Sequence, residues 1–151
     1  MVPSALSFQI RPMAESDVPV VAAMEAAIFG DAWSETLYRE TVQSGRYDCQ
    51  VLLVEERIVG YFCGQVILDE AEVHRIAVDP SQRERGYGQL LLADFLDRMK
   101  DQSVVSVLLE VRAGNVAAIG LYEKNGFISI GRRKEYYQKP KEDALILQYL
   151  I

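Results

Sequence analysis

The segment "RERGYG", Arg83 to Gly88, places two arginines and two glycines between an apolar segment that ends at Val78 and a leucine-rich one. Backbone amides at the start of a helix carry partial positive charge, and glycines let an anion approach the backbone closely. Arginine guanidinium groups add further donors for phosphate. The segment therefore predicts a phosphate-binding turn; the alternative is a solvated turn in which the glycines only form the corner.

Neither common nucleotide fingerprint fits this turn. The P-loop pattern needs a lysine that is absent here, and the dinucleotide pattern fails because Gly88 is followed by Gln89, Leu90 and Leu91. A glycine signal of this kind does not identify a ligand by itself, so the surrounding elements must decide.

Length and composition indicate one compact domain. The chain has 151 residues, half of them hydrophobic, and a net charge of -6. A chain of this size buries about two thirds of its unfolded surface in one core, so we expect a single domain over residues 1–151. No apolar run reaches the roughly 20 residues of a spanning helix, and "MVPSALSFQIRP" does not resemble a signal peptide. We expect a cytoplasmic monomer or weak dimer with no membrane partner.

Charge and cysteine usage exclude other classes of site. A pI of about 4.8 argues against nucleic-acid binding by broad phosphate attraction and is compatible with a basic peptide as partner. Cys49 and Cys63 match no metal-binding spacing, and His74 is the only histidine. We therefore expect no metal site and two free, reduced thiols.

Four segments have helical patterns. "SDVPVVAAMEAAIF" offers Ser16 or Asp17 as a cap, and "WSETLYRETVQSG" has Ser34 as its N-cap and Gly45 as its stop. A third helix starts near Gly88 with an apolar stripe on one face. The fourth, "NVAAIGLYEKNGF", begins at the cap Asn115 and stops at Asn125-Gly126 after about three turns.

The remaining apolar segments have strand patterns. "FQIRP" is extended, and "QVLLVEERIVGYFCGQVILDEAEVHRIAV" predicts three antiparallel strands separated by polar turns. "VVSVLLEVR" predicts a central strand covered on both faces, and "FISIGR" and "ALILQYL" supply two last strands. This order predicts an α/β protein with a mixed sheet and helices on both faces.

Placed on this map, the glycine turn resembles a known motif. R-x-x-G-x-G after a strand ending "IAVDP" and before an amphipathic helix resembles the acetyl-CoA pyrophosphate loop of the GCN5-related N-acetyltransferase (GNAT) superfamily. "VILDEAEVHRIAVDPSQRERGYGQLLL", "LEVRAGNVAAIGLYEKNGF" and "RRKEYYQKPKEDALIL" together resemble the RimI-type ribosomal-protein alanine N-acetyltransferases. The likeness covers Phe8 to Leu150 and is strongest from Ile67 to Phe127.

The resemblance implies the GNAT acyl-CoA N-acyltransferase fold, a mixed, mostly antiparallel sheet that is splayed between its fourth and fifth strands. Acetyl-CoA would lie in that splay, its pantetheine paired with the backbone of Ile76, Ala77 and Val78. The pyrophosphate would sit on the backbone of Arg83, Glu84, Arg85, Gly86, Tyr87, Gly88 and Gln89. Because the carboxylate of Glu84 would repel phosphates, we expect it to point to solvent. Asn115 caps its helix and is also expected to contact CoA.

Two residues are expected to move protons. Glu110 is an isolated acid in the apolar "VLLEVR", where a charge is costly unless it is used or paired. The resemblance makes it the proton acceptor for the amine, and the alternative is an ion pair with Arg112 on the same face. Tyr122 matches the proton donor for the departing thiolate; the alternative is a core aromatic with a wet hydroxyl. His74 stands where the family has no catalytic residue, so a partly exposed strand histidine is expected.

The substrate side is expected around three aromatic residues. Trp33 in "FGDAWSE" and Tyr136-Tyr137 in "KEYYQ" resemble the segments that flank the peptide's N-terminus in this family. The family commonly has proline directly before this tryptophan, whereas Ala32 stands here. The acids Asp69, Glu70 and Glu72 either attract basic side chains of the peptide or form a solvated hairpin.

The resemblance implies an acetyl-CoA-dependent enzyme that acetylates the α-amine of an N-terminal alanine, in a small-subunit ribosomal protein, by direct transfer. Two alternatives remain: the same fold acting on a small-molecule amine or a lysine, and a non-catalytic acyl-CoA-binding module.

Overall fold

A computed structural model of the chain describes residues 7–151. Residues 1–6, which the predicted single domain includes, lie outside the described part. The strands are β1 (Phe8–Pro12), β2 (Asp48–Val54), β3 (Arg57–Ile67), β4 (Glu70–Val78), β5 (Ser106–Arg112), β6 (Ile128–Gln138) and β7 (Lys141–Leu150). The helices are α1 (Val18–Ile28), α2 (Glu35–Ser44), α3 (Tyr87–Asp101) and α4 (Val116–Lys124).

The seven strands form one sheet in the order β1-β2-β3-β4-β5-β7-β6. β1 pairs antiparallel with β2, and β7 pairs antiparallel with both β5 and β6. β4 pairs in parallel with β5, from Glu70 opposite Ser106 to Val73 opposite Leu109. Each strand then continues, β4 to Val78 and β5 to Arg112, as expected for a splayed pair. The predicted fold class, an α/β protein with a mixed sheet, is confirmed.

The chain groups into two compact units. The first comprises the residues up to Cys63 together with Arg75–Ala93, and the second comprises Gly64–His74 and Asp94–Ile151. Residues that cluster in the core of the first unit include Met13, Val18, Val21, Tyr38, Cys49, Val51, Tyr61, Cys63 and Ala77. Buried side chains of the second unit include Phe95, Met99, Val107, Leu109, Tyr122, Phe127 and Leu147.

The predicted caps of α2 and α4 are confirmed. Ser34 Oγ accepts a hydrogen bond from the Leu37 amide at 3.0 Å, and Gly45 ends α2 with a φ of 68°. Asn115 Oδ1 accepts from the Ala118 amide at 3.2 Å. The two side chains accept hydrogen bonds from backbone amides that have no partner within the helix. The glycine ends α2 because it adopts the left-handed conformation without strain.

The entrance to α1 differs from the prediction. Asp17 precedes α1, but its side chain does not cap that helix. Instead its carboxylate accepts from the Ala14 amide at 2.8 Å and from two nitrogens of Arg11 at 2.7 and 2.9 Å. The hydrogen bond from Arg11 lowers the pKa of Asp17, and the Ala14 amide adds to this effect. Asp17 therefore ties the end of β1 to the entrance of α1.

The C-terminal hairpin is longer than predicted. β6 continues from "FISIGR" through the "KEYY" segment to Gln138, with a register shift between Arg133 and Tyr137. Glu135 has a φ of 50° at this bulge, and its amide donates to Asp143 Oδ1 at 2.8 Å. The bulge re-aims the side chains of the KEYY segment, which strand alternation in the sequence does not reveal.

Within residues 7–151, no helix is long and apolar enough to cross a membrane.

Candidate active site

The predicted phosphate-binding turn follows the end of β4 in the first unit. Asp79 Oδ1 accepts hydrogen bonds from the Ser81 amide and hydroxyl, both at 2.9 Å, and its own amide donates to the Val59 carbonyl at 2.8 Å. The hydrogen bonds from Ser81 lower the pKa of Asp79. Asp79 thus remains a charged acceptor that closes the 3₁₀ turn Pro80–Gln82 and directs the chain into the glycine segment.

The RERGYG segment has the backbone of an exposed cradle. Glu84 and Gly86 have φ values of 65° and 83°, in the left-handed region that glycine adopts without strain. The first hydrogen bond of α3 runs from the Leu90 amide to the Gly86 carbonyl at 3.1 Å. The amides of Tyr87 to Gln89 therefore precede the helical ladder, where an anion is favoured.

Charges around the cradle suit an anion. The first turn of α3 contains no acidic residue, and Arg83, Glu84 and Arg85 are all exposed. Arg83 also donates from Nε to the Val78 carbonyl at 3.2 Å, so its side chain folds back toward β4. The residues present fit a phosphate-bearing ligand such as CoA.

The segment of β4 that is predicted to pair with pantetheine lies very close to Gly60 on β3. A Cβ added at Gly60 on β3 would lie 2.8 Å from the Ala77 carbonyl oxygen and 3.3 Å from Leu91 Cδ1. Such distances allow only glycine here without a shift of the backbone. Gly60 therefore sets how closely β3 approaches the Ile76–Val78 segment, of which Ala77 is buried and Ile76 and Val78 are half-buried.

Glu110 lies on β5 in the second unit and forms an ion pair with Arg133 on β6. Its side chain is 31% exposed and that of Arg133 is 57% exposed. The alternative ion pair with Arg112 is replaced by other contacts: Arg112 donates to Glu142 Oε1 at 3.3 Å and to the Pro140 carbonyl at 2.8 Å. Glu110 is thus a partly exposed carboxylate: its Oε2 atom is covered and pairs with Arg133, which is itself exposed.

The two predicted tyrosines of the substrate side lie close to these arginines. The rings of Tyr136 and Tyr137 meet edge to face with centroids 5.1 Å apart. The Arg133 guanidinium lies 5.7 Å from the Tyr136 ring, and that of Arg112 lies 4.3 Å from the Tyr137 ring. The second unit therefore brings Glu110 and the KEYY segment together through Arg133.

Tyr122 is buried in α4 and packs beside Phe127, whose ring in turn contacts Tyr149. Burial raises the pKa of Tyr122, and the nearby Tyr137 adds to this effect. The phenol is therefore protonated at neutral pH, as a proton donor must be. Packing in an aromatic cluster also agrees with the alternative of a core tyrosine.

Asn115 and Trp33 occupy different environments. Asn115 is exposed and caps α4, next to Val116 at 78% exposure. Trp33 is half-buried in the first unit, where its ring lies 5.2 Å from that of Tyr38 and 5.1 Å from the Arg75 guanidinium. Its amide donates to Glu25 Oε2 at 2.9 Å.

The remaining polar candidates show no catalytic arrangement. His74 is partly exposed, as predicted, with Nε2 4.0 Å from Glu72 Oε2. Cys49 and Cys63 are buried, free thiols with their sulfur atoms 3.1 Å apart, and the hydrogen bond between them together with burial raises the pKa of Cys63. Over residues 7–151, no three His, Cys, Asp or Glu side chains are grouped to hold a metal ion.

Comparison with protein families identifies the family of this chain. The family described as "Acetyltransferase (GNAT) family" matches residues 18–127, well over half of the chain. The chain belongs to the acetyltransferase (GNAT) family. It is an acetyltransferase of the RimI type, because it is 35–37% identical over most of its length to ribosomal protein bS18-alanine N-acetyltransferases.

Individual GNAT relatives support the same assignment. The chain is 37% identical over 140 residues to the ribosomal protein bS18-alanine N-acetyltransferase of Salmonella typhimurium, covering 91% of this chain and 94% of that one. The crystal structure of the ribosomal-protein-S18-alanine N-acetyltransferase from Escherichia coli has a TM-score of 0.89 at 34% identity, covering 96% and 94% of the two chains. Arabidopsis thaliana NAA60 in complex with acetyl-CoA shares the fold, with a TM-score of 0.87 at 18% identity over 96% and 99%.

Sequence reasoning missed four residues that contact candidate site residues or their neighbours in the chain: Glu25, Arg75, Arg133 and Glu142. Each acts through a partner that is distant in sequence, such as Arg75 with Glu25, 50 residues away. Glu142 Oε2 accepts from the Gly114 amide at 2.6 Å, which anchors the turn before α4. The single acid in "AAMEAAIF" was a usable signal for Glu25, of the same kind as the one that singled out Glu110.

Proposed function

We propose that this enzyme transfers an acetyl group from acetyl-CoA to the α-amine of an N-terminal alanine, in a small-subunit ribosomal protein. The observation that carries the proposal is the 37% identity to the Salmonella bS18-alanine N-acetyltransferase over 94% of that enzyme. A ribosomal substrate would place the reaction in the cytoplasm. The family match spans residues 18–127, which supports the prediction of one catalytic domain over residues 1–151. The expected monomer or weak dimer stays a prediction.

The first unit supplies most of the groups proposed to bind acetyl-CoA. The amides of Tyr87 to Gln89, with the side chains of Arg83 and Arg85, receive the pyrophosphate. The backbone of Ile76 to Val78 pairs with the pantetheine and polarises the thioester carbonyl. The exposure of Glu84 agrees with a carboxylate turned away from the phosphates. Asn115 is proposed to contact CoA in addition to its capping role.

Glu110 is proposed to accept the proton of the substrate amine through a water molecule. An α-amine has a pKa near ~8, against about 10.4 for lysine, so a carboxylate is a sufficient base. The amine nitrogen bonds to the thioester carbonyl carbon, the carbon–sulfur bond breaks, and the sulfur leaves as the thiolate of CoA. Tyr122 donates its phenolic proton to that thiolate and regains a proton from solvent. Acetylated peptide and CoA are the products of this direct transfer.

Three aromatic residues are proposed to receive the first residue of the peptide: Trp33, Tyr136 and Tyr137. Tyr136 is 49% exposed and Trp33 is half-buried. Each therefore offers aromatic surface that a small apolar side chain can contact. Asp69, Glu70 and Glu72 either attract basic residues further along the peptide or remain a solvated hairpin.

One peptide tests the proposal. It begins with Ala-Arg, contains one internal lysine, and is offered with a free and with a blocked N-terminus. We expect acetyl-CoA-dependent gain of one acetyl group, mapped by tandem mass spectrometry to the α-amine, and no reaction of the blocked peptide. Acetylation of the lysine would instead establish the alternative activity on side-chain amines. CoA binding without turnover on any amine would establish a non-catalytic acyl-CoA-binding module.

A further inference from the structure

Glu25 is a fully buried acid that the proposed reaction does not use. It lies in α1 with 0% exposure, and four donors satisfy its carboxylate. Oε1 accepts from the hydroxyls of Tyr38 at 2.7 Å and Tyr61 at 2.6 Å. Oε2 accepts from the Trp33 amide and from Arg75 Nε, both at 2.9 Å. Burial raises the pKa of both tyrosines, so both hydroxyls stay protonated as donors to Glu25.

Arg75 connects this carboxylate to the segment between α1 and α2, which we call the α1–α2 loop (residues 29–34). Its Nη2 donates to the Asp31 carbonyl at 3.0 Å. Its guanidinium also lies 4.5 Å from the ring centroid of Phe29 and 5.1 Å from that of Trp33. One arginine, with a side chain only 13% exposed, therefore contacts the beginning, the middle and the aromatic end of the loop.

The loop has few restraints of its own. Gly30, Asp31 and Ala32 are exposed, and the loop contains no proline. Proline restricts a loop through its fixed φ. Here Glu25 holds the backbone at Trp33 and Arg75 holds it at Asp31, so side-chain contacts provide the restraint.

We propose that Glu25 and Arg75 are positioning residues that fix Trp33 and thereby determine which first residue the enzyme accepts. The proposal rests on the proposed function, in which Trp33 contacts that residue. A loose loop would widen the space beside the tryptophan and admit larger first residues. A purely structural role would weaken all substrates alike.

Trp33 is the only tryptophan in the chain, so its fluorescence reports on the loop without any substrate. Lysine in place of Arg75 keeps the charge beside Glu25 but loses the planar fork that also reaches the Asp31 carbonyl. We expect Arg75→Lys and Glu25→Gln to shift the emission to longer wavelength and to raise the acrylamide quenching constant. Arg98→Lys is the matched control, because Arg98 also pairs with a carboxylate, Asp94 at 2.9 Å, and lies over an aromatic ring. Unchanged quenching in both loop variants would overturn the proposal.

Specificity is measured with peptides that differ only in a first residue of Ala, Ser, Met or Leu. Discrimination by one apolar pocket is modest, so we expect Arg75→Lys to lower the Ala-to-Leu ratio of kcat/KM by about tenfold. The KM for acetyl-CoA should not change. An equal loss for all four peptides would contradict the specificity role even if the quenching rises. If the wild-type enzyme is inactive on all four peptides, both the proposed function and the specificity that rests on it are contradicted. The acrylamide quenching of Trp33 then still decides whether Glu25 and Arg75 hold the loop.

Discussion

Glu25 and Glu110 look alike in sequence and differ in the folded protein. Each is a single acid among apolar neighbours, in "AAMEAAIF" and in "VLLEVR", and each pairs with an arginine. Glu25 has no exposed surface and accepts four hydrogen bonds, so it has no capacity left for a substrate proton. Glu110 is 31% exposed beside an exposed arginine. Access and the number of donors, which sequence context does not supply, separate a structural carboxylate from a candidate base.

The largest effect on stability is expected at Glu25. Glu25→Gln removes the charge that pairs with Arg75, and breaking a buried ion pair costs about 3–5 kcal/mol. Urea unfolding followed by circular dichroism measures this loss. Glu40→Gln, at an exposed position in α2, is the matched control and should change little. A loss at Glu25 no greater than at Glu40 would remove the distinction between the two kinds of carboxylate.

An intermediate effect is expected at Asp17, whose side chain is 9% exposed and pairs with the one-third exposed Arg11. Asp17→Asn should lower the free energy of unfolding by about 1.5–3 kcal/mol at pH 7, because hydrogen bonds to charged groups are worth that much.

The effect of Asp17→Asn should depend on pH with a definite sign. The pKa of Asp17 is lower in the folded protein than its ordinary value of 3.8, owing first to the hydrogen bond from Arg11. The stabilisation is therefore complete above the unfolded value and is lost progressively as the pH falls from that value through the lower folded pKa. Urea titrations at pH 7 and pH 3 should show the wild type and variant converging; a constant difference would contradict the linkage.

The smallest effect is expected at Arg39, which lies 3.7 Å from Glu35 on the surface of α2, with side chains 40% and 49% exposed. Exposed ion pairs at this helical spacing contribute about 0.3–0.5 kcal/mol. Arg39→Gln should therefore shift the unfolding midpoint only slightly. The shift should be smaller in 0.5 M salt than in low salt, because the Debye screening length falls from about 10 Å at 0.1 M to about 3 Å at 1 M and salt then weakens this exposed pair. A loss as large as at Asp17 would break the ranking by burial.

The sequence predicts the elements of this fold because their signals are local. Ser34 and Asn115 begin helices by accepting hydrogen bonds from amides three residues ahead, and Gly45 ends α2 through its left-handed φ. The glycine turn is likewise recognisable from adjacent residues and from its strand and helix. The order of elements follows from such signals, the family is implied by the resemblance of three segments, and both are confirmed.

Contacts between distant segments are what the sequence does not predict. The partner of Glu110 is Arg133 on β6, although β7 lies between β5 and β6 in the sheet. Alternation along β5 suggested Arg112 instead, which is engaged by Glu142. The Glu25 network similarly depends on Arg75, which reaches it from another element.

The pH dependence of acetyl transfer by Glu110→Gln tests the central claim most directly. Glutamine cannot accept a proton, so at pH 7 the kcat/KM for an Ala-Arg peptide should fall by about 10²–10⁴-fold while the unfolding midpoint stays near that of the wild type. The deficit should narrow as the pH rises above the α-amine pKa of ~8, because the substrate then arrives neutral. Glu123→Gln, exposed on α4, should behave as wild type. A wild-type rate, or a deficit that is the same at every pH, would contradict Glu110 as the base.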